Sequence, residues 1–337
     1  MKGNNRKSRP ASRSKSSSRP GSTKARQLKL KLPECYFKKC SEPKPLKAID
    51  VRDFVRMPIP KPDPLLGDWL LKPSLSMIHA PRGVGKTYLG LSIGCSVAAG
   101  QDLFGWSCVR SCKVHYLDGE MSSGGLQARL KSIPKRMRPV QGMFKLSTPD
   151  FQPGFLPDLC TRAGQDMINQ GIAADTELII VDNLSSWSKS GREDSEAWAP
   201  IAEWALHHRA EGRSIIFVHH SGKNGSQRGT SRKEDLLDVV LGLRRPSNYS
   251  PDEGASFEIH FEKNRHLFGE DVAPVKVKLV KDDEGKLDWE WNAVKAPSND
   301  RLKEIVQLKS KGLNQSEIAK KLGVDRATVS RALKKGK

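Results

Sequence analysis

Acidic residues are missing from the first 32 positions, which hold eleven Lys/Arg, and none of the 337 residues falls in a long uninterrupted apolar run. A membrane-spanning helix needs roughly 18 or more such residues, so no membrane partner is expected. The leader "KSRPASRSKSSSRPGSTKARQ" also lacks the apolar core of a signal peptide, and its Pro, Ser and Gly content cannot bury enough surface to fold. Residues 1–45 therefore read as a disordered basic tail. Cysteine is scarce: Cys35, Cys40, Cys95, Cys108, Cys112 and Cys160 stand in a chain without an export signal, which predicts reduced thiols in a cytoplasm. Cys108 and Cys112 have a spacing zinc can use, but no second pair with ligand spacing follows, so buried neutral thiols are the expectation.

What is abundant is positive charge. The formal net charge is +20, and residues 301–337 add eleven Lys/Arg against only Glu304, Glu317 and Asp325, so the two ends carry nearly all of the excess. A near-neutral body with basic ends predicts a polyanionic partner, because Lys and Arg that neutralise phosphates release counterions. For the leader, a solvated tail without a defined role remains the alternative.

Beyond a Pro-rich connector, Met57 to Pro73, short apolar runs alternate with helical patterns. The runs are 75–79, 113–118, 177–182 and 214–219, and the helices are predicted over 87–99, 123–132 and 195–210. Near-continuous apolar strands alternating with helices specify an α/β fold with a mostly parallel sheet. From Asp238 onward four strand-like runs follow without helices, which predicts an antiparallel extension with "DDEG" (282–285) as a hairpin turn. Residues 46–295 are thus expected to form one domain. "APSND" (296–300) reads as the linker to an all-α module, 296–337.

"APRGVGKT", Ala80, Pro81, Arg82, Gly83, Val84, Gly85, Lys86 and Thr87, follows a predicted strand and opens a helix, the context a phosphate-binding loop requires. Backbone N–H groups would cradle phosphates, Gly83 and Gly85 would permit close approach, Lys86 would reach the β and γ phosphates, and Thr87 would ligate Mg2+. ATP and Mg2+ are the implied ligands. Asp182, closing "ELIIVD", is the expected magnesium-associated carboxylate. Glu120, in "VHYLDGEMS", lies just beyond the next strand; with that strand beside the loop strand it would orient or deprotonate the attacking water, Asp118 being the rival. Of the paired histidines ending 214–219, His220 is preferred to His219 as the group that senses the γ-phosphate. The polar stretch that follows carries Lys223, Arg228, Arg232 and Lys233, a composition that tracks a nucleic-acid backbone or merely solvates a connection.

In this order, with "KNR" at 263–265 after them, the motifs resemble the RepA-like branch of hexameric replicative DNA helicases, relatives of the DnaB-like ones found on plasmids and phages. The resemblance spans residues 60 to about 295. It implies a RecA-like core, a homo-hexamer around single-stranded DNA, ATP between neighbouring subunits, and a basic residue donated across the interface. Arg265, supported by Lys263, would be that residue; a solvated strand end is the alternative. No N-terminal primase-binding helical domain of the DnaB type is visible.

"NQSEIAKKLGVDRATVSRALKKGK" spaces Ala319, Gly323 and Val329 as bacterial helix-turn-helix domains do, which predicts duplex DNA as a second partner. Arg326, Thr328, Ser330 and Arg331 are the candidate groove-facing side chains, and Arg326 or Arg331 is best suited to read guanine. A packing module is the alternative. The leading expectation is an ATP-dependent DNA helicase; the rivals are an ATP-switched replication initiator or regulator, and a recombination-type ATPase forming filaments on DNA.

Overall fold

The computed structural model describes residues 46–188, 195–221, 232–246, 248–281, 286–294, 299–324 and 326–335. The described chain divides between Ile59 and Pro60 into two units. In the first, Asp50 caps the short helix α1 (Val51–Arg56) by accepting from the Arg52 N–H at 2.8 Å.

The second unit opens with a hairpin, β1 (Asp63–Leu66) and β2 (Leu70–Lys72), that paired within the connector where no strand was expected. Then come β3 (Leu75–Ala80), α2 (Lys86–Ala99), β4 (Val114–Asp118), α3 (Ser123–Ser132), β5 (Phe144–Ser147), α4 (Arg162–Gly171), β6 (Leu178–Asp182), α5 (Ser195–Ala210), β7 (Ser214–His220) and the short α6 (Arg232–Asp235). Four strands follow: β8 (Val239–Arg244), β9 (Ser256–Asn264), β10 (Val275–Lys281) and β11 (Leu287–Ala293). Three helices end the described chain: α7 (Asn299–Ser310), α8 (Gln315–Leu322) and α9 (Arg326–Lys335).

Among the described residues nine strands form one sheet in the order β11-β10-β9-β8-β3-β7-β6-β4-β5. Strands β3 to β8 run parallel to one another, and β9 to β11 add on antiparallel from β8 outward, so the fold is α/β with an antiparallel extension, consistent with a RecA-like core. Residues 282–285, read as the turn between β10 and β11, lie outside the described residues. The condition attached to Glu120 in the sequence is not met: the strand leading to it, β4, does not lie beside β3, because β7 and β6 fill the two places between them. The β3–α2–β4 crossover spans those places, and the chain fills them on its way back.

Each central strand is buried on both faces. Ile78, Leu178, Ile180, Ile216 and Val218 join the core that holds α2, whereas Met77, Ile179, Val181, Ile215 and Phe217 pack with Trp198, Ile201 and Trp204 of α5. Alternate residues of a strand point to opposite faces, so an unbroken apolar run supplies both layers. Helix α2 starts at Gly85, in a conformation with φ of 130°, and stops at Gly100, in the left-handed region with φ of 67°. The three C-terminal helices share a core of Ile305, Leu308, Ile318, Ala319, Val329 and Ala332. Asn314 and Glu317 form a reciprocal capping box on α8, and Gly323 turns the chain at φ of 61°.

The hairpin is tied to the sheet by Glu177, just before β6. Arg110 donates to both its oxygens, at 2.9 and 2.8 Å, and also to Asp63 of β1, while Lys72 of β2 donates to Glu177 as well. The Arg110 hydrogen bonds hold the Glu177 carboxyl down at about 2. Its folded value lies below its unfolded value, so its stabilisation is full near neutral pH and lost as pH falls toward about 2. Glu177→Gln should lower the thermal midpoint at pH 7 by about 2 °C, as a partly exposed ion pair would. Thermal scans at stepped pH should show the gap from wild type closing on acidification; a constant gap would mean the tie is not ionic.

Candidate nucleotide-binding site

The loop from Ala80 to Thr87 joins the end of β3 to the first turn of α2. Val84 is buried and anchors the loop in the core, while Pro81, Arg82 and Gly83 are exposed. Gly83 has φ of 76°, and a Cβ on Gly85 would lie 2.6 Å from the Phe257 ring, so neither position suits another residue. Lys86 is 6% exposed and donates from Nζ to the Ala80 and Pro81 carbonyls, at 2.8 and 2.9 Å. Burial lowers its pKa to about 8, against the opposing pull of Asp182 and Glu120, so it stays cationic at neutral pH.

Asp182 ends β6 and is buried, held by the Tyr116 hydroxyl at 2.6 Å and by a hydrogen bond with Thr87. Burial raises its pKa, and those hydrogen bonds oppose the rise. A buried carboxylate beside a hydroxyl on the first turn of a phosphate-loop helix is a donor pair that fits a hard divalent cation, whose charge would keep the carboxylate ionised. Glu120 is exposed, with its Oε2 accepting from Asn183 Nδ2 at 2.5 Å and lying 3.8 Å from His220 Nε2. Asn183 Nδ2 is also 3.2 Å from His220 Nε2, so the amide joins the two residues. The structure separates the rival acid from this group: Asp118 is buried, accepts from the Met121 N–H and the Thr148 hydroxyl, and is raised by burial to about 6. His219 points into the core side of β7 and is 1% exposed.

Lys86, Thr87, Asp182, Glu120 and His220 line one cleft of about 450 Å3. Two further cations share it that were not singled out in the sequence. Arg245, just past β8, donates to the Gly83 carbonyl at 2.7 Å and stacks on the Tyr249 ring, 3.5 Å from its centroid. Arg129 of α3 lies over the Tyr88 ring at 4.5 Å. No motif marks these residues, nor Asn183; Asn183 follows Asp182 directly, and Arg245 reaches the loop because β8, which it follows, runs parallel beside β3 and ends at the same end.

Lys263 and Arg265 are not in the cleft. Lys263 donates to the Glu234 carbonyl, and Arg265 donates to the Asp235 carbonyl at 2.6 Å with its Nε 3.8 Å from Asp238. Asn264 pairs with Val239, which neighbours Ser76, so the tripeptide sits at the start of β3 while the phosphate loop leaves its end. Lys223 and Arg228 lie outside the described residues, as do the side chains of Arg232 and Lys233. In α9, Arg326 is exposed, Ser330 and Arg331 are half-buried, and Thr328 is 9% exposed. Thr328, expected to face a groove, is therefore turned inward, its hydroxyl 3.4 Å from Arg331 Nη2. Among the described residues no cluster of His, Cys, Asp or Glu could hold a metal on its own and no helix is long and apolar enough to cross a membrane.

No curated protein matches the chain. The family model AAA_25, described as an AAA domain, matches residues 40–226, more than half of the chain and the segment that supplies Lys86, Thr87, Glu120, Asp182, Asn183 and His220. The chain belongs to this family of P-loop ATPases, which includes the RepA- and DnaB-like helicases.

Proposed function

We propose that the chain is an ATP-dependent DNA helicase of the RepA-like kind, from a plasmid, phage or integrated element, with ATP hydrolysed between neighbouring subunits of a homo-hexamer. One observation carries this most. The strand that sets His220 beside Asn183 and Glu120 at the cleft continues directly into residues 222–231, whose Lys223 and Arg228 suit a phosphodiester backbone. A change at the phosphate end of the cleft therefore has a short covalent path to a candidate DNA contact.

Within the cleft, Glu120 is the group that orients or deprotonates the attacking water, and Asn183 fixes its carboxylate. Lys86 supplies positive charge where the phosphates gather, and His220 senses the terminal phosphate through Asn183. Thr87 and Asp182 would hold magnesium, which when bound neutralises phosphate charge. Arg245 on Tyr249 makes a flat cationic surface suited to stacking on the nucleobase. Arg265, with Lys263, lies at the end of the sheet opposite its own subunit's phosphate loop, which is the arrangement a residue acting on a neighbour's nucleotide needs. The C-terminal helices are proposed to hold duplex DNA, with Arg326 and Arg331 toward the bases.

Lys86→Ala should lower ATP turnover by about a hundredfold or more. In strand-displacement assays with ATP, the wild type should unwind a fork of one polarity. Hydrolysis stimulated by single strands with no unwinding of either fork would instead favour the initiator or filament alternatives. Mixing inactive Arg265→Ala and Lys86→Ala subunits should restore part of the hydrolysis, since some interfaces regain both groups; activity that stays at the level of the separate variants would return "KNR" to an ordinary strand end. Arg245→Ala should raise the KM for ATP about tenfold, with a smaller change for a ribose triphosphate lacking its base. Equal losses for both would place Arg245 on the phosphates.

A further inference from the structure

On the face of the sheet away from α2, His79 of β3 is 1% exposed yet makes two polar contacts: Nδ1 to the Ser221 hydroxyl at 2.8 Å and Nε2 to Glu262 Oε2 at 2.7 Å. Glu262 belongs to β9, and β8 lies between it and His79. Two features let it reach across. The β8–β9 register slips between Val240 and Leu241, leaving Glu262 as the extra residue, and its side chain passes over Gly242, where a Cβ would stand 2.2 Å from Oε1. Arg244 holds the other oxygen at 2.8 Å, and these partners keep the Glu262 carboxyl at about 2.

The far end of this chain of contacts is the catalytic cleft. Ser221 follows His220 directly, and its N–H donates to the Ala80 carbonyl, the same carbonyl that accepts from Lys86. Ser221 is thus bound twice to β3, by its backbone at Ala80 and by its hydroxyl at His79. We propose that His79 and Glu262 are positioning residues for hydrolysis: by gripping Ser221 they fix the height of His220, and so of the Asn183–Glu120 pair, against the phosphate loop. Neither touches the nucleotide. The pair therefore governs turnover and leaves nucleotide affinity alone, whereas a buried histidine that merely satisfies its own polar atoms would affect stability only. This inference rests on the cleft being an ATPase site.

The test compares Ser221→Ala and Glu262→Gln, which lie on either side of His79, with the double variant in steady-state ATP hydrolysis and thermal unfolding. Misplacing a catalytic group by a fraction of an ångström should lower kcat about tenfold in each single variant, with KM for ATP within about twofold of wild type. Because the two act in series, the double variant should be no slower than the slower single one. Unchanged kcat with a lowered thermal midpoint, independent losses that multiply, or a KM that rises as kcat falls would overturn the pair while leaving Lys86-dependent hydrolysis intact. Wild type without Lys86-dependent hydrolysis would overturn the ATPase assignment itself, and the pair with it.

Discussion

Lys86 sets an ammonium group where water scarcely reaches, and isolating such a charge costs several kcal/mol unless partners surround it. The Ala80 and Pro81 carbonyls accept hydrogen bonds from it, and the carboxylates of Asp182 and Glu120 offset the loss of water that pulls it down to about 8. Asp182 in turn is buried, and needs the Tyr116 and Thr87 hydroxyls. Two neighbours on the first turn of α2 therefore reach the ends of two strands, Lys86 that of β3 through Ala80 and Thr87 that of β6 through Asp182, and Tyr116 of β4 joins them at the same carboxylate. The cleft is the open side left to this cluster, and a polyphosphate is the ligand whose charge would complete it.

The antiparallel strands complete the cleft from the other side. Phe257 of β9 rests against Gly85, Arg245 binds the Gly83 carbonyl, and Glu262 crosses Gly242 to His79. Two glycines, one in the loop and one in β8, are the openings that admit these contacts. Truncating a buried phenylalanine typically costs about 3–5 kcal/mol. Here the cavity would open beneath the phosphate loop itself, so the extension is a supporting wall of the site as well as an edge to the sheet.

How much of this the sequence carried depends on how local each signal is. The phosphate loop, the strands at 75–80, 178–182 and 214–220, and the helices at 86–99 and 195–210 were legible because an unbroken apolar run or a Gly-rich turn before a helix is written in adjacent residues. Strand β5 was not, since "FKLS" is short and only partly buried, and β1–β2 was hidden among prolines that tolerate edge strands. The place of β4 could not be read, because strand order depends on which connections return, and no local pattern records it. Asn183, Arg245, Arg129 and His79 share that limit: each acts through partners distant in sequence, brought together by sheet pairing.

The same sheet geometry bears on Lys263 and Arg265. From Ser76 to Ala80 the strand rises about 13 Å, which no arginine side chain at the far end can bridge back to its own phosphate loop. Arg265 is instead bound to the end of α6 and lies beside the buried Asp238 carboxylate. The guanidinium is itself about half exposed, so it stands at the end of the sheet opposite the phosphate loop with one side open to solvent.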